Sequence, residues 1–350
     1  MFFASDNWAG AHPAIAAGLS ANAHGFSTAY GEGELDKAVY RRFSEIFERE
    51  VAVFFVATGT AANSLSLAAC NKPGGIVFSH REAHVIEDEC GAPEYFTGGA
   101  RLHAVDGALG RIDPKNLERA LGRFVPESVH AGRPMAVSIT QSTEAGTVYG
   151  LDDIARIAGI AKRRGLPLHM DGARFANALV ALETTPAEMT WKQGVDLLSF
   201  GGTKNGCWCA EAVVLFDPAK AREMGFLRKR AAQLFSKSRF VAAQFDAYFR
   251  DGLWLETARH ANAMAARLAA AIEDSAAARL AWLPQANELF AVMRKAEAER
   301  LQAAGAVFYD WHEPHGFDSH VGKDEGLYRF VTSFATTAEE VDRFGAMIGK

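Results

Sequence analysis

Short apolar runs alternate with longer amphipathic segments through the middle of this chain. Two of the runs, Leu166–Met170 and Val195–Phe200, each lead into a turn that contains glycine. Buried strands of a parallel sheet have this pattern, because both faces of such a sheet are covered by helices. The alternation of strands and helices therefore predicts an α/β fold with a mostly parallel sheet.

Capping residues indicate where several of the helices begin and end. Asp113-Pro114 and Asp217-Pro218 each place a cap residue directly before a proline, and Thr185-Pro-Ala-Glu188 has the spacing of a capping box. A further helix is expected over Leu151–Arg164, with Gly165 closing it before the next strand. These signals predict helices between the strands of the sheet.

The pattern changes after about residue 250. A long alanine-rich helix over roughly Leu255–Glu273 is followed by strand-like segments and by a capped helix from Thr336. The strand-like segments are Glu288–Met293, Ala306–Trp311 and Tyr328–Phe334. We predict a large domain over 1–250 and a smaller α/β domain over 251–350, leaving open that the N-terminal segment packs on the smaller one.

Composition narrows the class of protein. With 350 residues, 49% of them hydrophobic, the chain can bury a large core. The net charge of -5, without a long basic run, argues against nucleic acid as a partner. Four cysteines and no signal peptide favour a reducing, cytoplasmic location. Val51–Cys70 is uncharged, but polar residues interrupt it, so we expect a strand, turn and helix and no membrane contact.

Candidate chemistry lies in the turns that follow the two apolar runs. Asp171 and Arg174 follow the first run and Lys204 follows the second. The carboxyl ends of parallel strands share one edge of the sheet, where ligands bind. An amine and a carboxylate that meet there suit pyridoxal phosphate, since the amine forms a Schiff base and the carboxylate keeps the pyridine nitrogen protonated. For each motif alone, a solvated lysine and a turn aspartate remain the ordinary alternative.

A third candidate feature is the glycine turn Thr58-Gly59-Thr60, which joins an apolar strand to an alanine-rich helix. The first amides of such a helix are free, and the helix dipole favours an anion there. The threonine hydroxyls add possible donors, so a phosphate fits, although many such turns bind nothing. No dinucleotide or P-loop motif is present in the sequence.

His80 and His84 are four residues apart, a spacing that puts two histidines on one helix face. Zinc is nevertheless not favoured, because the glutamate between them is misplaced for a zincin and a third ligand is not evident. We interpret His84 as an aromatic side chain that stacks on a cofactor ring, and His80 as structural. The acidic stretch Glu87-Asp88-Glu89 is expected to be a solvated helix face.

Motifs spread over nearly the whole chain resemble one family in sequence and order, the low-specificity L-threonine aldolases of the fold-type I pyridoxal phosphate enzymes. These are related to the beta-eliminating lyases. The motifs are SDNWAG, AYGEGE, GTAAN, AHVIEDECGAPE, ITQSTEAGTVY, LHMDGARFANA, FGGTKNG and YRFVTS. The resemblance implies a transferase-like α/β fold, pyridoxal 5′-phosphate as cofactor, and cleavage of L-threonine, L-allo-threonine and related β-hydroxy-α-amino acids to glycine and an aldehyde.

The resemblance also implies roles for individual residues. The catalytic group comprises Lys204, His84 and Asp171. The phosphate is held by Thr58, Gly59 and Thr60, with Arg239 reaching the site of a neighbouring subunit. The substrate side comprises Ser5, Arg174 and Arg329, which hold the carboxylate, and Tyr30, from a loop near the subunit interface. The family pattern implies a homotetramer, a dimer of dimers, with shared sites and no metal.

The chain departs from the family at two places. Many relatives have a histidine in a Thr-His-Asn stretch where this chain reads Ser142-Thr143-Glu144, and Ala232 stands where some have a second cation near the phosphate. The β-hydroxyl proton must therefore go to His84, a bound water or the phosphate. β-Elimination with the same cofactor and a non-catalytic homologue remain as alternatives, although intact Lys204 and Asp171 argue against the second.

Overall fold

The computed structural model describes residues 1–125 and 128–349. Its strands are β1 Ala52–Val56, β2 Gly75–His80, β3 Arg101–Val105, β4 Arg133–Thr140, β5 Leu168–Gly172, β6 Leu197–Gly201, β7 Glu211–Leu215, β8 Ala278–Leu280, β9 Glu288–Arg294, β10 Tyr309–Trp311 and β11 Glu325–Val331. Its helices are α1 Pro13–Ala21, α2 Glu34–Ile46, α3 Gly59–Ala68, α4 His84–Glu87, α5 Ala92–Phe96, α6 Pro114–Gly122, α7 Leu151–Arg163, α8 Phe175–Ala181, α9 Pro186–Met189, α10 Arg222–Arg230, α11 Arg239–Phe249, α12 Leu253–Glu273, α13 Lys295–Ala303 and α14 Ala338–Gly345.

The larger sheet has seven strands in the order β1-β7-β6-β5-β4-β2-β3. Neighbouring strands are parallel except at β7, which runs antiparallel to both β1 and β6. The expected α/β fold with a mostly parallel sheet is confirmed. The carboxyl ends of β1, β4, β5 and β6 consequently lie at one edge, so the turns that follow them share a single region of the molecule.

A cluster of phenylalanines fixes the strand that precedes Lys204. Phe200 in β6 is fully buried and lies 5.2 Å from the ring of Phe43 and 5.4 Å from that of Phe175, between ring centroids. Burial of one such side chain stabilises the fold by about 1.5–3 kcal/mol. Gly201 follows, and an added Cβ there would lie only 2.7 Å from the carbonyl oxygen of Ala173. The two neighbouring turns can approach closely only because this position is glycine.

The smaller sheet has four antiparallel strands in the order β10-β11-β9-β8. The N-terminal segment packs on it, because Phe3 lies in the same buried cluster as Phe308, Phe330 and Phe344. Phe2 also forms a parallel bridge with Val307. The helix α12 packs against both α8 and α14 and so joins the two sheets. The domain boundary at residue 250 stays a prediction.

Helix signals in the sequence were largely accurate, with two differences. Asp113 caps α6 and Thr337 caps α14 in a complete capping box. Asp217-Pro218 opens only a 3-10 turn over Pro218–Lys220, in which Asp217 caps the amide of Ala219. The helix α10 begins after this turn. His80 ends β2 and His84 begins α4, so the two histidines do not share a helix face.

Among the described residues no helix is long and apolar enough to cross a membrane. Within residues 1–125 and 128–349, no group of three or more His, Cys, Asp or Glu side chains is placed to hold a metal ion.

Candidate active site

A cavity of about 280 Å³ lies where the strands of the large sheet end. Seven of the residues expected from the sequence line it: Thr58, Gly59, Thr60, His84, Asp171, Arg174 and Lys204. Four others do not line it: Ser5, Tyr30, Arg239 and Arg329. The cavity therefore brings together the turns after β1, β5 and β6, as the strand pattern predicted.

The wall at the start of α3 is built to receive an anion. Thr58 caps this ten-residue helix, and its Oγ1 accepts a hydrogen bond of 3.1 Å from the amide of Ala61. Gly59 borders open space, since an added Cβ would meet no atom within 4 Å. Free amides and the positive end of the helix dipole therefore point into the cavity.

Asp171 is buried, and both of its carboxylate oxygens have partners. Oδ1 accepts from the amide of Ala173 at 3.0 Å, and Oδ2 accepts from Asn63 Nδ2 at 2.8 Å. These bonds hold the carboxyl group in a fixed orientation at the end of β5. Asn63 lies in α3, so the anion-binding helix also fixes this carboxylate.

His84 is held at both its backbone and its ring. Its amide donates to Glu144 Oε1 at 2.7 Å, and its Nδ1 lies 2.9 Å from Glu89 Oε1. The same Glu89 oxygen accepts from Asn63 Nδ2 at 2.8 Å. The bond to Glu89 raises the pKa of His84, and burial raises the pKa of Glu89.

The expectation that Glu87-Asp88-Glu89 forms a solvated face is wrong for one residue. Glu87 and Asp88 are exposed, but Glu89 is only 4% exposed. The helix α4 ends at Glu87, and Cys90 has a positive φ of 51°. Glu89 therefore lies between the end of the helix and a turn at Cys90, and helical spacing does not apply to it.

Lys204 lies in a 3-10 turn over Thr203–Asn205 that directly follows β6. Asn205 anchors this turn, since its Nδ2 donates to Tyr248 Oη and to the Trp254 carbonyl, each at 2.8 Å. Glu211 accepts from the amide of Thr203 at 3.2 Å, and burial raises its pKa to about 7. Lys204 is thus presented to the cavity from a rigid turn with a buried carboxyl beside it.

Arg174 begins α8 and forms two buried ion pairs. Its Nε lies 2.7 Å from Asp6 Oδ2, and its Nη1 lies 2.8 Å from Glu288 Oε2. Arg329 also pairs with Glu288, since its Nη1 lies 3.7 Å from Glu288 Oε1. Its Cζ lies 4.0 Å from the centroid of the Trp311 ring. The two expected carboxylate-binding arginines therefore belong to one network, although only Arg174 reaches the cavity.

Ser5 has a local structural role in this chain. Its Oγ accepts from the amide of Asn7 at 3.1 Å and caps the short turn Asp6–Trp8. Asn7, and not Ser5, lines the cavity. The N-terminal segment thus brings a polar side chain to the site two residues later than the motif indicates.

Arg239 and Tyr30 lie away from the cavity of their own chain. Arg239 Nη1 donates to the carbonyls of His24 and Gly25, at 3.3 and 3.0 Å. Tyr30 is 51% exposed, and Lys229 Nζ lies 5.9 Å from its ring centroid. Neither residue can contribute to the site of the same chain in this arrangement.

Several cavity residues were not found from the sequence. They are Asn7, Asn63, Glu89, Glu144 and Glu211. Asn63 had a usable signal, because it lies three and four residues after Thr60 and Gly59 and hence on the same face of the predicted helix. Glu144 appeared only as the last residue of Ser142-Thr143-Glu144, the stretch in which the family histidine is missing, and burial raises its pKa to about 7.

The residues present fit pyridoxal 5′-phosphate. The open helix terminus at Gly59 suits a phosphate. The carboxylate of Asp171, which accepts two hydrogen bonds, suits a protonated ring nitrogen. An aromatic imidazole at His84 and an amine at Lys204 complete the set on the same cavity.

Comparison with known proteins agrees with this site. The model of the Beta-eliminating lyase family matches residues 3–296. A low specificity L-threonine aldolase from Pseudomonas aeruginosa is 39% identical over 97% of this chain and 94% of its own. Another, from a Pseudomonas species, is 41% identical over 99% of this chain and 96% of its own.

Solved structures show the same architecture. A threonine aldolase structure from Leishmania major superposes with a TM-score of 0.91, is 27% identical, and covers 99% of this chain and 98% of its own. The fold is therefore that of fold-type I pyridoxal phosphate enzymes. The chain belongs to the beta-eliminating lyase family and, within it, to the low-specificity L-threonine aldolases.

Proposed function

We propose that this chain is a carbon–carbon lyase that cleaves L-threonine, L-allo-threonine and related β-hydroxy-α-amino acids to glycine and an aldehyde. The observation that carries the proposal is the placement of Lys204, Asp171 and His84 on one cavity beside the start of α3. The names of the two Pseudomonas relatives support the reaction. Pyridoxal 5′-phosphate is the cofactor.

Each wall of the cavity has a part in holding the cofactor. Thr58, Gly59 and Thr60 would bind the phosphate through the first amides of α3. Asp171 would hold the ring nitrogen, His84 would stack on the ring, and Lys204 would bind the cofactor covalently. When bound, the cofactor supplies an electron sink for the bond that breaks at Cα.

The substrate carboxylate is assigned to the arginine network. Asp6 accepts from Nε and Nη2 of Arg174, and Glu288 lies beside Nη1. These contacts fix the plane of the guanidinium and leave one further N–H on each of Nη1 and Nη2 for a substrate. Arg329 adds positive charge behind it. A fixed carboxylate sets the orientation of the Cα–Cβ bond, and positioning of this kind supplies much of the rate enhancement.

His84 is assigned as the acceptor of the β-hydroxyl proton. Its Nδ1 faces Glu89, which leaves Nε2 as the nitrogen with a free lone pair. As the O–H proton passes to Nε2, the O–H electron pair becomes the second bond of the aldehyde C=O. The Cα–Cβ bond breaks and a proton added at Cα completes glycine; the bound cofactor would take up the electron pair of the broken bond.

We further propose a homotetramer, a dimer of dimers, in the cytoplasm, with Arg239 reaching the phosphate in a partner's cavity and Tyr30 at the interface. The position of Arg239 away from its own cavity supports a role in a neighbouring subunit. A small amino acid is the only substrate class proposed, with no role for nucleic acid or membrane.

Product analysis tests the reaction. Purified protein loaded with pyridoxal phosphate is incubated with L-threonine, and glycine, acetaldehyde, ammonia and 2-oxobutanoate are quantified. We expect glycine and acetaldehyde in equal amounts and no reaction with D-threonine. Ammonia with 2-oxobutanoate would show β-elimination, and no turnover in a loaded protein would show a non-catalytic homologue. Lys204→Ala serves as the inactive control.

A further inference from the structure

Glu89 lies at the centre of a buried chain of hydrogen bonds. Its Oε1 is 2.9 Å from His84 Nδ1 and 2.8 Å from Asn63 Nδ2. The same Asn63 nitrogen is 2.8 Å from Asp171 Oδ2. Glu89, Asn63 and Asp171 are each 4% exposed or less, so water does not screen these bonds.

The bonds from Asn63 use both N–H donors of its side-chain amide. A side-chain amide has two N–H donors, and here one points to Glu89 and the other to Asp171. Asn63 thus separates two carboxylates that would otherwise repel each other in a buried site. The bonds from His84 and Asn63 favour the ionised form of Glu89 and oppose burial, which raises its pKa.

We propose that Glu89 is a positioning residue that fixes His84 in the tautomer with hydrogen on Nδ1, so that Nε2 is free to accept the substrate's β-hydroxyl proton. A carboxylate accepts but does not donate, so Nδ1 must carry the hydrogen. Glu89 also stabilises the imidazolium that forms when Nε2 takes the proton. The inference rests on the proposed function, in which His84 is the acceptor.

Other charged groups face His84 and do not replace Glu89. Asp171 acts in the same direction as Glu89, and the positive charge of Lys204 acts in the opposite direction. Glu144 contacts the His84 amide and not the ring. Among the described residues, Glu89 is therefore the carboxylate that is hydrogen-bonded to the ring itself.

The test compares Glu89→Gln with Glu87→Gln. The first removes the buried charge at constant shape, and the second removes an exposed charge two residues earlier in the same segment. The titration of His84 is followed by NMR of isotopically labelled full-length protein, with His84→Gln identifying its signal. The pH dependence of kcat and KM for L-threonine is measured on the loaded enzyme.

We expect Glu89→Gln to lower the pKa of His84 and to move the acidic limb of the kcat profile to lower pH. We also expect kcat to fall by about 10- to 100-fold, with KM changed by less than about twofold, because Glu89 does not touch substrate. Glu87→Gln should match wild type. Glu89→Asp, which keeps the charge but shortens the side chain, should give an intermediate pKa and provides the test where Glu89→Gln does not fold.

A His84 titration that is the same in wild type, Glu89→Gln and Glu87→Gln would overturn the inference. So would a kcat profile in Glu89→Gln that keeps its acidic limb and its maximum. These failures are distinct from failure of the proposed function, because wild type would still convert L-threonine to glycine and acetaldehyde. The NMR titration, moreover, does not depend on turnover.

Discussion

Asp6 and Arg174, which are 168 residues apart in the sequence, form a bidentate ion pair with N–O distances of 2.7 and 3.1 Å. The side chain of Asp6 is 1% exposed and that of Arg174 is 10% exposed. Burial of two charges is stabilising only when the geometry is good and both remain paired. Arg174 lowers the pKa of Asp6 despite its burial, so the pair stays ionised. The N-terminal segment thereby fixes the cation proposed to bind substrate.

Asp6→Asn tests this role. The variant keeps the shape but loses the charge, so Arg174 is held by Glu288 alone and can turn away from the substrate. We expect KM for L-threonine to rise several-fold and the free energy of unfolding to fall by about 3–5 kcal/mol, the usual cost of breaking a buried pair. Kinetics and urea unfolding measure the two effects. Asp310→Asn, at an exposed residue, is the control. An unchanged KM in Asp6→Asn would contradict the assignment.

Lys204→Ala tests the covalent attachment of the cofactor. The wild-type lysine should give a borohydride-reducible link to pyridoxal phosphate, because its turn presents the amine to the cavity. We expect the variant to lose this link and its activity while remaining folded. Peptide mass spectrometry after reduction locates the adduct, with exposed Lys220→Ala as control. An adduct on another lysine of the Lys204→Ala protein would refute the assignment.

Sequence patterns located the residues that follow strands and missed those that depend on distant packing. Asp171 and Lys204 were predictable because an apolar run and a glycine turn fix where each emerges. The pairing of Arg174 with Asp6 was not, since it requires the N-terminal segment to fold back onto β5 and α8. Glu89 was misjudged because its burial depends on a turn at Cys90, which local charge pattern does not reveal.

Glu211→Gln is expected to make stability less dependent on pH. Burial raises the pKa of Glu211 from 4.5 to about 7 in the folded chain, so folding favours the protonated form. The folded state consequently loses stability as pH rises from about 4.5 to about 7. Glutamine keeps an oxygen for the Thr203 amide without this loss. The variant should match wild type near pH 4.5 and be more stable at pH 8 by roughly 1–3 kcal/mol.

Urea unfolding of the cofactor-free chain at both pH values measures this difference. Glu87→Gln is the matched control, because that side chain is exposed. If the free energies of unfolding of Glu211→Gln and wild type differ by the same amount at both pH values, the explanation by burial is contradicted.

Subunit exchange tests the shared site. Arg239→Ala and Lys204→Ala should each be inactive alone, since one removes the partner's phosphate ligand and the other the covalent lysine. After random exchange in equal amounts, half of the dimers are mixed and each mixed dimer has one intact site. Activity should return to about a quarter of wild type. No recovery, with exchange demonstrated by mass spectrometry, would indicate that each site is complete within one chain.

In the proposed reaction the enzyme breaks the Cα–Cβ bond and leaves the Cα–H bond intact. L-Threonine carrying deuterium at Cα distinguishes this reaction from elimination, because elimination must remove the Cα hydrogen. Mass spectrometry of the products in ordinary water is the direct measurement. We expect glycine that retains one deuterium, formed together with unlabelled acetaldehyde. 2-Oxobutanoate that has lost its deuterium to solvent, with no glycine, would contradict it.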